Sequence, residues 1–360
     1  MVRVLYIYSG LSRVDLEKKI EASEAPDTVF FGFRSLAKVA RIEADYIELK
    51  KNIYGFGGGF IRRFSFLRAL YVFLKFYKKI ASYDVVVITS SAYFDLLFFR
   101  HLGFFGSQRW FILNLDLSIA FKKRARNVLA KNILSFKISA ADKIICISQA
   151  QKRDLLELGL PEEKVVFIPL GVDKTFYKPI SPKPEFILTI GRDVGRDTKS
   201  FLEAMRLLGE PAVMICSPHN VEGLEDKIPH NLTVLFDQPY SVLRSYYERA
   251  KVFVIATKPA DHLVGSDCPG QTAVLDTLAY GMPMVATEMP WFEGYFESGR
   301  HLLITAPNNP KALSEAIKKI TSDVDLQKKL GKEGRKLIEE KCNSEAMGQA
   351  IARLVLDNTL

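Results

Sequence analysis

Two doubly wound α/β domains are the fold this sequence predicts. Short β-branched runs alternate with helical patterns from end to end. Several of those runs, Val85-Val-Val-Ile88 and Lys143-Ile-Ile-Cys-Ile147 among them, are apolar without alternation, as parallel strands covered on both faces are. A single proline-rich break then divides the alternation into two halves. A length of 360 residues agrees with two domains. With 48% hydrophobic and 25% charged residues, the composition excludes wholesale disorder, collagen and coiled coil.

In order along the first half, strands are expected at Val2–Ser9, Asp45–Leu49, Asp84–Thr89, Arg109–Leu115, Lys143–Ser148 and Val165–Leu170, with helices near 62–81, 120–140 and 149–158. The segment Val172–Pro184 has three prolines in its last six residues and no periodicity, which marks a linker. Strands resume at Glu185–Ile190, Ala212–Cys216, Leu232–Phe236, Lys251–Ala256, Pro283–Thr287 and His301–Thr305. The helices of this half are expected near 198–208, 241–250, 270–280 and 310–340; Gly281 caps the third and Pro283 leads into the next strand. Ser344 to about Leu356 reads as a last amphipathic helix. The domains are therefore placed at 1–171 and 185–343, the linker at 172–184, and 344–360 as a helix returning to the first domain. In open parallel sheets ligands bind beyond the carboxyl ends of the strands, so a cleft between the domains is the expected active site.

Cys146, Cys216, Cys268 and Cys342 lie far apart, with no C-x-x-C and no Cys/His cluster. Neither a disulfide scaffold nor structural zinc is expected, and a reducing cytoplasm fits. The start of the chain reads directly into a strand, so no signal peptide is expected, and no apolar run reaches the ~18 residues of a spanning helix. Charge is uneven. Residues 1–180 hold 29 Lys+Arg and 17 Asp+Glu, a balance of +12, whereas residues 181–360 hold 21 and 24, a balance of −3. The basic half suits an anionic partner, or solubility alone.

The turn after the first strand, Ser9 to Asp15, holds one glycine and no G-x-G-x-x-G, and no G-x-x-x-x-G-K-[ST] occurs. Hydride transfer and P-loop phosphoryl transfer lose support. Gly55-Phe-Gly-Gly-Gly59 reads as a loop. The turn after Ile190 is more telling. It brings Arg192, Arg196 and Lys199 to the carboxyl edge of a sheet beside a helix start, where guanidinium and free N–H groups suit a pyrophosphate; a solvated turn is the alternative. After Val252–Ala256, a long loop reaches Cys268-Pro-Gly270-Gln271-Thr272 and a helix that holds Asp276 about a turn and a half in. A carboxylate there suits ribose hydroxyls, or is an ordinary helix-surface acid.

Three sets of residues together resemble the retaining GT-B glycosyltransferases of family 4: Ile145-Cys-Ile-Ser-Gln-Ala with Val166-Phe-Ile-Pro-Leu-Gly-Val-Asp173; Gly191-Arg192 with Arg196; and the run from Gly270 to Ala286. The resemblance covers residues 140–320 well and 1–140 in outline. It implies a GT-B fold in which the second domain binds a nucleotide-diphosphate sugar and the first an acceptor, a glycan or a lipid-linked one. The family's diphosphate-binding Arg and Lys correspond to Arg192 and Arg196, with Lys199 a nearby extra cation. Its paired acids, eight positions apart, correspond to Cys268 and Asp276; the first has become a thiol, with Asp267 adjacent. Gly270, Gln271 and Thr272 correspond to its backbone donors to sugar and phosphate. Its histidine after the fourth strand has no counterpart, and Asn114 and Asp116 are the two candidates for that role.

Transfer leaves a nucleoside diphosphate with growing negative charge, so fixed cations and helix N–H groups stabilise the transition state and no metal or other cofactor is expected. Asp323-Val-Asp325 is explained by N-capping. The rivals are a sugar-nucleotide epimerase, or a sugar-nucleotide-binding or membrane-scaffold protein without turnover. UDP, GDP and ADP sugars all stay open. From Ile53 to Lys79 there is no acid, and Arg62, Arg63, Arg68, Lys75, Lys78 and Lys79 alternate with nine aromatic residues. That pattern suits a helix lying in an anionic bilayer interface, with Phe98–Phe105 and Lys122–Arg126 extending it; a helix with an aromatic core face is the alternative. Peripheral attachment to the inner face of a membrane is thus expected. No nucleic-acid-binding module is recognised, so a nucleic-acid partner is not. His262 is a donor-loop residue that touches the sugar or faces solvent.

Overall fold

The structure is a computed structural model that describes residues 1–10, 12–49, 65–124, 126–180, 183–260 and 266–357. It contains two parallel six-stranded sheets, each in its own compact unit.

The first unit comprises residues 1–18, 30–170 and 344–360. Its strands are β1 (Val2–Ser9), β2 (Ile42–Leu49), β3 (Val85–Ile88), β4 (Arg109–Asn114), β5 (Lys143–Cys146) and β6 (Val165–Phe167), in the order β2-β1-β3-β4-β5-β6. All four residues of β3 are buried, as a strand with both faces covered requires. Along β1 the side chains alternate between two aromatic and aliphatic layers. Leu5 and Ile7 join a core with Val72, Ile80, Trp110 and Phe121, while Tyr6 and Tyr8 meet Phe33 edge-on at 5.3 and 6.4 Å. The helix Ser344–Leu356 belongs to this unit, where Gly348 lies so close to Gly32 that a Cβ would strike its carbonyl.

The second unit comprises residues 19–29 and 171–343. Its strands are β7 (Phe186–Ile190), β8 (Ala212–Cys216), β9 (Leu232–Phe236), β10 (Ala250–Ile255), β11 (Met284–Thr287) and β12 (Leu303–Thr305), in the order β12-β11-β10-β7-β8-β9. The chain winds outward from β7 through β8 to β9, then returns to the other side of β7 at β10. The strand order therefore reverses between β7 and β10, the position where an open parallel sheet opens a ligand crevice.

All twelve expected strands are present. Two expected helices are each split in two by a side-chain cap. Asn127 accepts from the Ala130 amide and separates Leu117–Lys123 from Val128–Ser139; Asp323 accepts from the Leu326 amide and separates Pro310–Thr321 from Val324–Glu340. Asp323 is thereby an N-cap, as its spacing suggested. The segment 172–184 starts inside the second unit rather than spanning between units. Val172 donates to the Cys342 carbonyl at 3.0 Å, and Asp173 Oδ1 accepts from the Thr175 and Phe176 amides, both at 3.0 Å.

The helix expected at 62–81 spans Ser65–Ala81. Its Tyr71, Phe73, Phe76 and Tyr77 pack against the core of the first unit, and Phe73 stacks on Phe99 at 4.3 Å. These four rings are partly buried against that core, while Phe66 on the same helix is 45% exposed. Residues 53–64 of the basic–aromatic stretch, which include Gly55–Gly59, lie outside the described residues, as does His262. Among the described residues no helix is long and apolar enough to cross a membrane.

Candidate active site

The loops that leave β7, β9 and β10 at their carboxyl ends surround a pocket of about 490 Å³ in the second unit. From β7 the chain turns at Gly191, where a Cβ would strike the Arg196 guanidinium. Asp193 Oδ1 closes the turn on the Gly195 amide at 2.9 Å, and its Oδ2 faces Arg196 Nε at 2.9 Å. Arg196 is buried, and its Nη2 donates to the Ile190 carbonyl at 3.3 Å. Among the described residues Nη1 has no hydrogen-bond partner. It lies 3.2 Å from the place a Cβ on Gly270 would occupy. A buried guanidinium nitrogen without an acceptor is expensive unless a ligand supplies one.

The other side of the pocket is the start of the helix Gln271–Ala279. Gly270 has φ +77°, a left-handed conformation at which glycine pays no Cβ penalty. Behind it, Trp291 Nε1 holds the Pro269 carbonyl at 3.1 Å. The Thr272 and Ala273 amides meet no acceptor among the described residues, so the positive end of the helix opens on the same space as Arg196. Gln271 is buried, with Nε2 donating to Tyr295 Oη at 3.3 Å. Cys268 is buried and lines the pocket.

Asp276 projects from this helix into the pocket. Tyr177 donates to its Oδ2 at 2.9 Å, whereas Oδ1 has no partner among the described residues. Burial pushes the Asp276 carboxyl up to about 8; the Tyr177 hydroxyl pulls it back and the Asp173 carboxylate adds to the rise. Tyr177 is held in turn by Arg335, whose Nη1 donates to the Tyr177 carbonyl at 2.6 Å. Burial and the nearby Asp276 raise the Tyr177 phenol well above its ordinary range, so it stays a donor.

Arg192 lies at the rim and is exposed, with Nη2 on the Gln238 carbonyl at 2.6 Å and Nε 3.3 Å from Asp237 Oδ1. Asp237 itself has φ +47°, left-handed for a non-glycine residue. Gln238, Pro239 and Tyr240 continue the wall.

The structure thus brings together Arg192, Arg196, Cys268, Gly270, Gln271, Thr272 and Asp276 around one pocket. Lys199 is elsewhere: it is exposed and lines a smaller depression with Glu203 and Arg206. Asp267 does not line the pocket. Tyr177, Asp193 and Tyr240 line it and were not singled out from the sequence. A tyrosine four residues past the Asp173 motif was the available signal for the first.

In the first unit, Asn114 and Asp116 stand at the end of β4. Asn114 is fully buried; its Oδ1 accepts from the Leu117 amide at 2.9 Å, and its carbonyl accepts from Gln151 at 3.2 Å. It holds the strand ends together. Asp116 is half-buried, with Oδ2 accepting from Ser91 Oγ at 2.7 Å, and so retains solvent access that Asn114 lacks.

The family described as Glycosyl transferases group 1 matches residues 174–337, and Glycosyltransferase Family 4 matches residues 28–176. No curated protein sequence matches the chain. Among solved structures, a glycosyltransferase from Rickettsia africae is 16% identical with a TM-score of 0.66, over 99% of both chains. Sucrose-phosphate synthase from Thermosynechococcus elongatus is 15% identical with a TM-score of 0.76, again over 99% of both. Anabaena Alr3699/HepE in complex with UDP and glucose is 11% identical with a TM-score of 0.70, over 99% of this chain and 100% of that one. The two sheets and these matches define a glycosyltransferase of the GT-B type.

Proposed function

We propose that this protein moves a sugar from a nucleoside-diphosphate sugar to a hydroxyl of a glycan or lipid-linked acceptor, with retention of anomeric configuration and without a divalent ion. The observation that carries this is the buried Arg196 nitrogen without a partner, set beside the open amides of Thr272 and Ala273. Breaking the sugar–phosphate bond puts negative charge on the leaving diphosphate, and donors already fixed in place stabilise it without reorganising. Arg192 at the rim supplies a second cation, and Asp276 Oδ1 is free to accept a ribose hydroxyl. UDP is the first nucleotide to try, since Alr3699/HepE was solved with UDP and with UDP-glucose. Retention rests on the resemblance to family 4, and Asp116 is the residue assigned to the acceptor side.

Metal independence is supported by the pocket's own chemistry. Asp193 and Asp237 already face arginines, so the charge that meets the diphosphate is carried by fixed guanidinium and N–H groups. The setting proposed is the cytoplasmic side of a membrane.

Incubation with UDP-, GDP- and ADP-sugars across an acceptor panel tests the reading, with product stereochemistry read from anomeric NMR couplings. Transfer with the donor's configuration, unaffected by EDTA, is expected; inversion, or activity lost in EDTA and restored by Mg2+, contradicts those parts. Arg196→Ala is expected to lose about 2–4 kcal/mol of transition-state stabilisation, roughly 30- to 1,000-fold in kcat/KM. A second reading is favoured by Cys268, which puts a cysteine where the resembled family has an acid: a sugar-nucleotide-binding protein without turnover. Saturable nucleotide binding with no transfer to any acceptor is its signature.

A further inference from the structure

In the first unit, the helix Val128–Ser139 buries only Leu134 and Ile138. Its other large apolar side chains face solvent: Val128 is 68% exposed, Leu129 71%, Ile133 46% and Phe136 51%. Leu129, Ile133 and Phe136 recur at i, i+4 and i+7, so they form one stripe. His101 stacks on Phe136 at 4.2 Å and joins the stripe to the adjoining turn, where Leu102 and Phe104 are also exposed. A connected apolar surface of this kind marks an interaction site.

Charge indicates what covers it. Between Asp116 and Asp142 there is no acid and there are six cations. Lys122 is paired with Asp154 and Lys137 with Asp95. Lys123 and Arg126, which lead into the helix, have no acidic partner among the described residues. Apolar side chains flanked by unpaired cations, with no acid between them, match the boundary of an anionic bilayer, where headgroups meet the cations and acyl chains meet the stripe.

We propose that this face, rather than the aromatic side of the helix Ser65–Ala81, docks the protein on anionic lipid: Lys123 and Arg126 bind headgroups, and Leu129, Ile133 and Phe136 enter the interface. The proposal is independent of the glycosyl-transfer reading. The full chain is sedimented with vesicles of phosphatidylcholine alone or mixed with phosphatidylglycerol, and the melting temperature of each variant is measured to confirm folding. Binding only to the anionic vesicles, weakening with salt, is expected. Lys123→Ala with Arg126→Ala should lower partition by about 25-fold, roughly fivefold per cation, and Leu129→Glu with Phe136→Glu should abolish it. Both native tryptophans are fully buried, so Ile133→Trp adds a surface reporter whose emission should shift to the blue on vesicles. The proposal is overturned by absence of binding at low salt, by equal binding to uncharged vesicles, or by folded variants that bind like the parent. It is also overturned if the stripe variants instead dissolve a dimer of the chain, or if the cation variants lose affinity for duplex DNA and not for vesicles.

Discussion

Asp276 has one carboxylate oxygen on Tyr177 and the other open to the pocket, and burial lifts its pKa from 3.8 to about 8. The sign of the consequence follows from linkage. The folded state holds this proton more tightly than the unfolded chain, so the stability it contributes is full below about pH 4 and is lost as pH rises toward 8. Asp276→Asn cannot ionise and escapes that loss. Thermal denaturation from pH 5 to 9 should show the variant gaining on the parent, by an amount on the order of a few kcal/mol at the alkaline end; parallel curves would refute the shift. The motif spacing made Arg196, Gly270 and Asp276 legible, because each owes its place to a strand end or a helix start. Tyr177 and Asp193 were not, since they reach the pocket through tertiary packing and a turn. Lys199 shares the same βα turn as Arg196, but as the second residue of the helix Thr198–Leu208 it points away, which a count of cations could not reveal.

Between elements, the helix that presents Asp276 is fixed from behind by the helix Val324–Glu340. The two approach closely at glycines: a Cβ on Gly331 would strike the Gly281 carbonyl, and one on Gly334 would lie 2.6 Å from Leu278 Cδ2. Gly331→Ala should therefore cost about 1–3 kcal/mol by overpacking, read as a lowered melting temperature, while Lys332→Ala on the exposed face changes little. An unchanged melting temperature for Gly331→Ala would show that the helix can slide at no cost. The strands were legible because parallel sheets write themselves as continuous β-branched runs. The helices Arg13–Glu21, Phe33–Leu36 and Leu96–His101 were not expected. The first is polar almost throughout and the others span under two turns, too short for a period to register. The two split helices carried their breaks in plain view, at Asn127 and Asp323, where a capping side chain interrupts an otherwise continuous pattern.

Across the whole molecule, sequence order and spatial membership diverge at both ends of the second unit. Residues 19–29 join it although they precede most of the first, tied by the Asp27 amide on Asp173 Oδ2 at 3.1 Å. Such pairings, far apart in sequence, leave no periodic trace. Charge, by contrast, was legible at this scale: the surplus of +12 in residues 1–180 belongs largely to the first unit, and the pocket of the second unit is lined by a few fixed donors rather than by a surplus of cations. The central claim is that Arg196 and the amides before Asp276 hold a diphosphate. Calorimetric titration of the parent and of Arg196→Ala with UDP, GDP and ADP, each compared with its nucleoside, tests it most directly. At least one diphosphate should bind the parent far more tightly than its nucleoside does, and Arg196→Ala should erase most of that difference. Equal diphosphate affinity in both proteins, or no diphosphate bound by either, would contradict the claim.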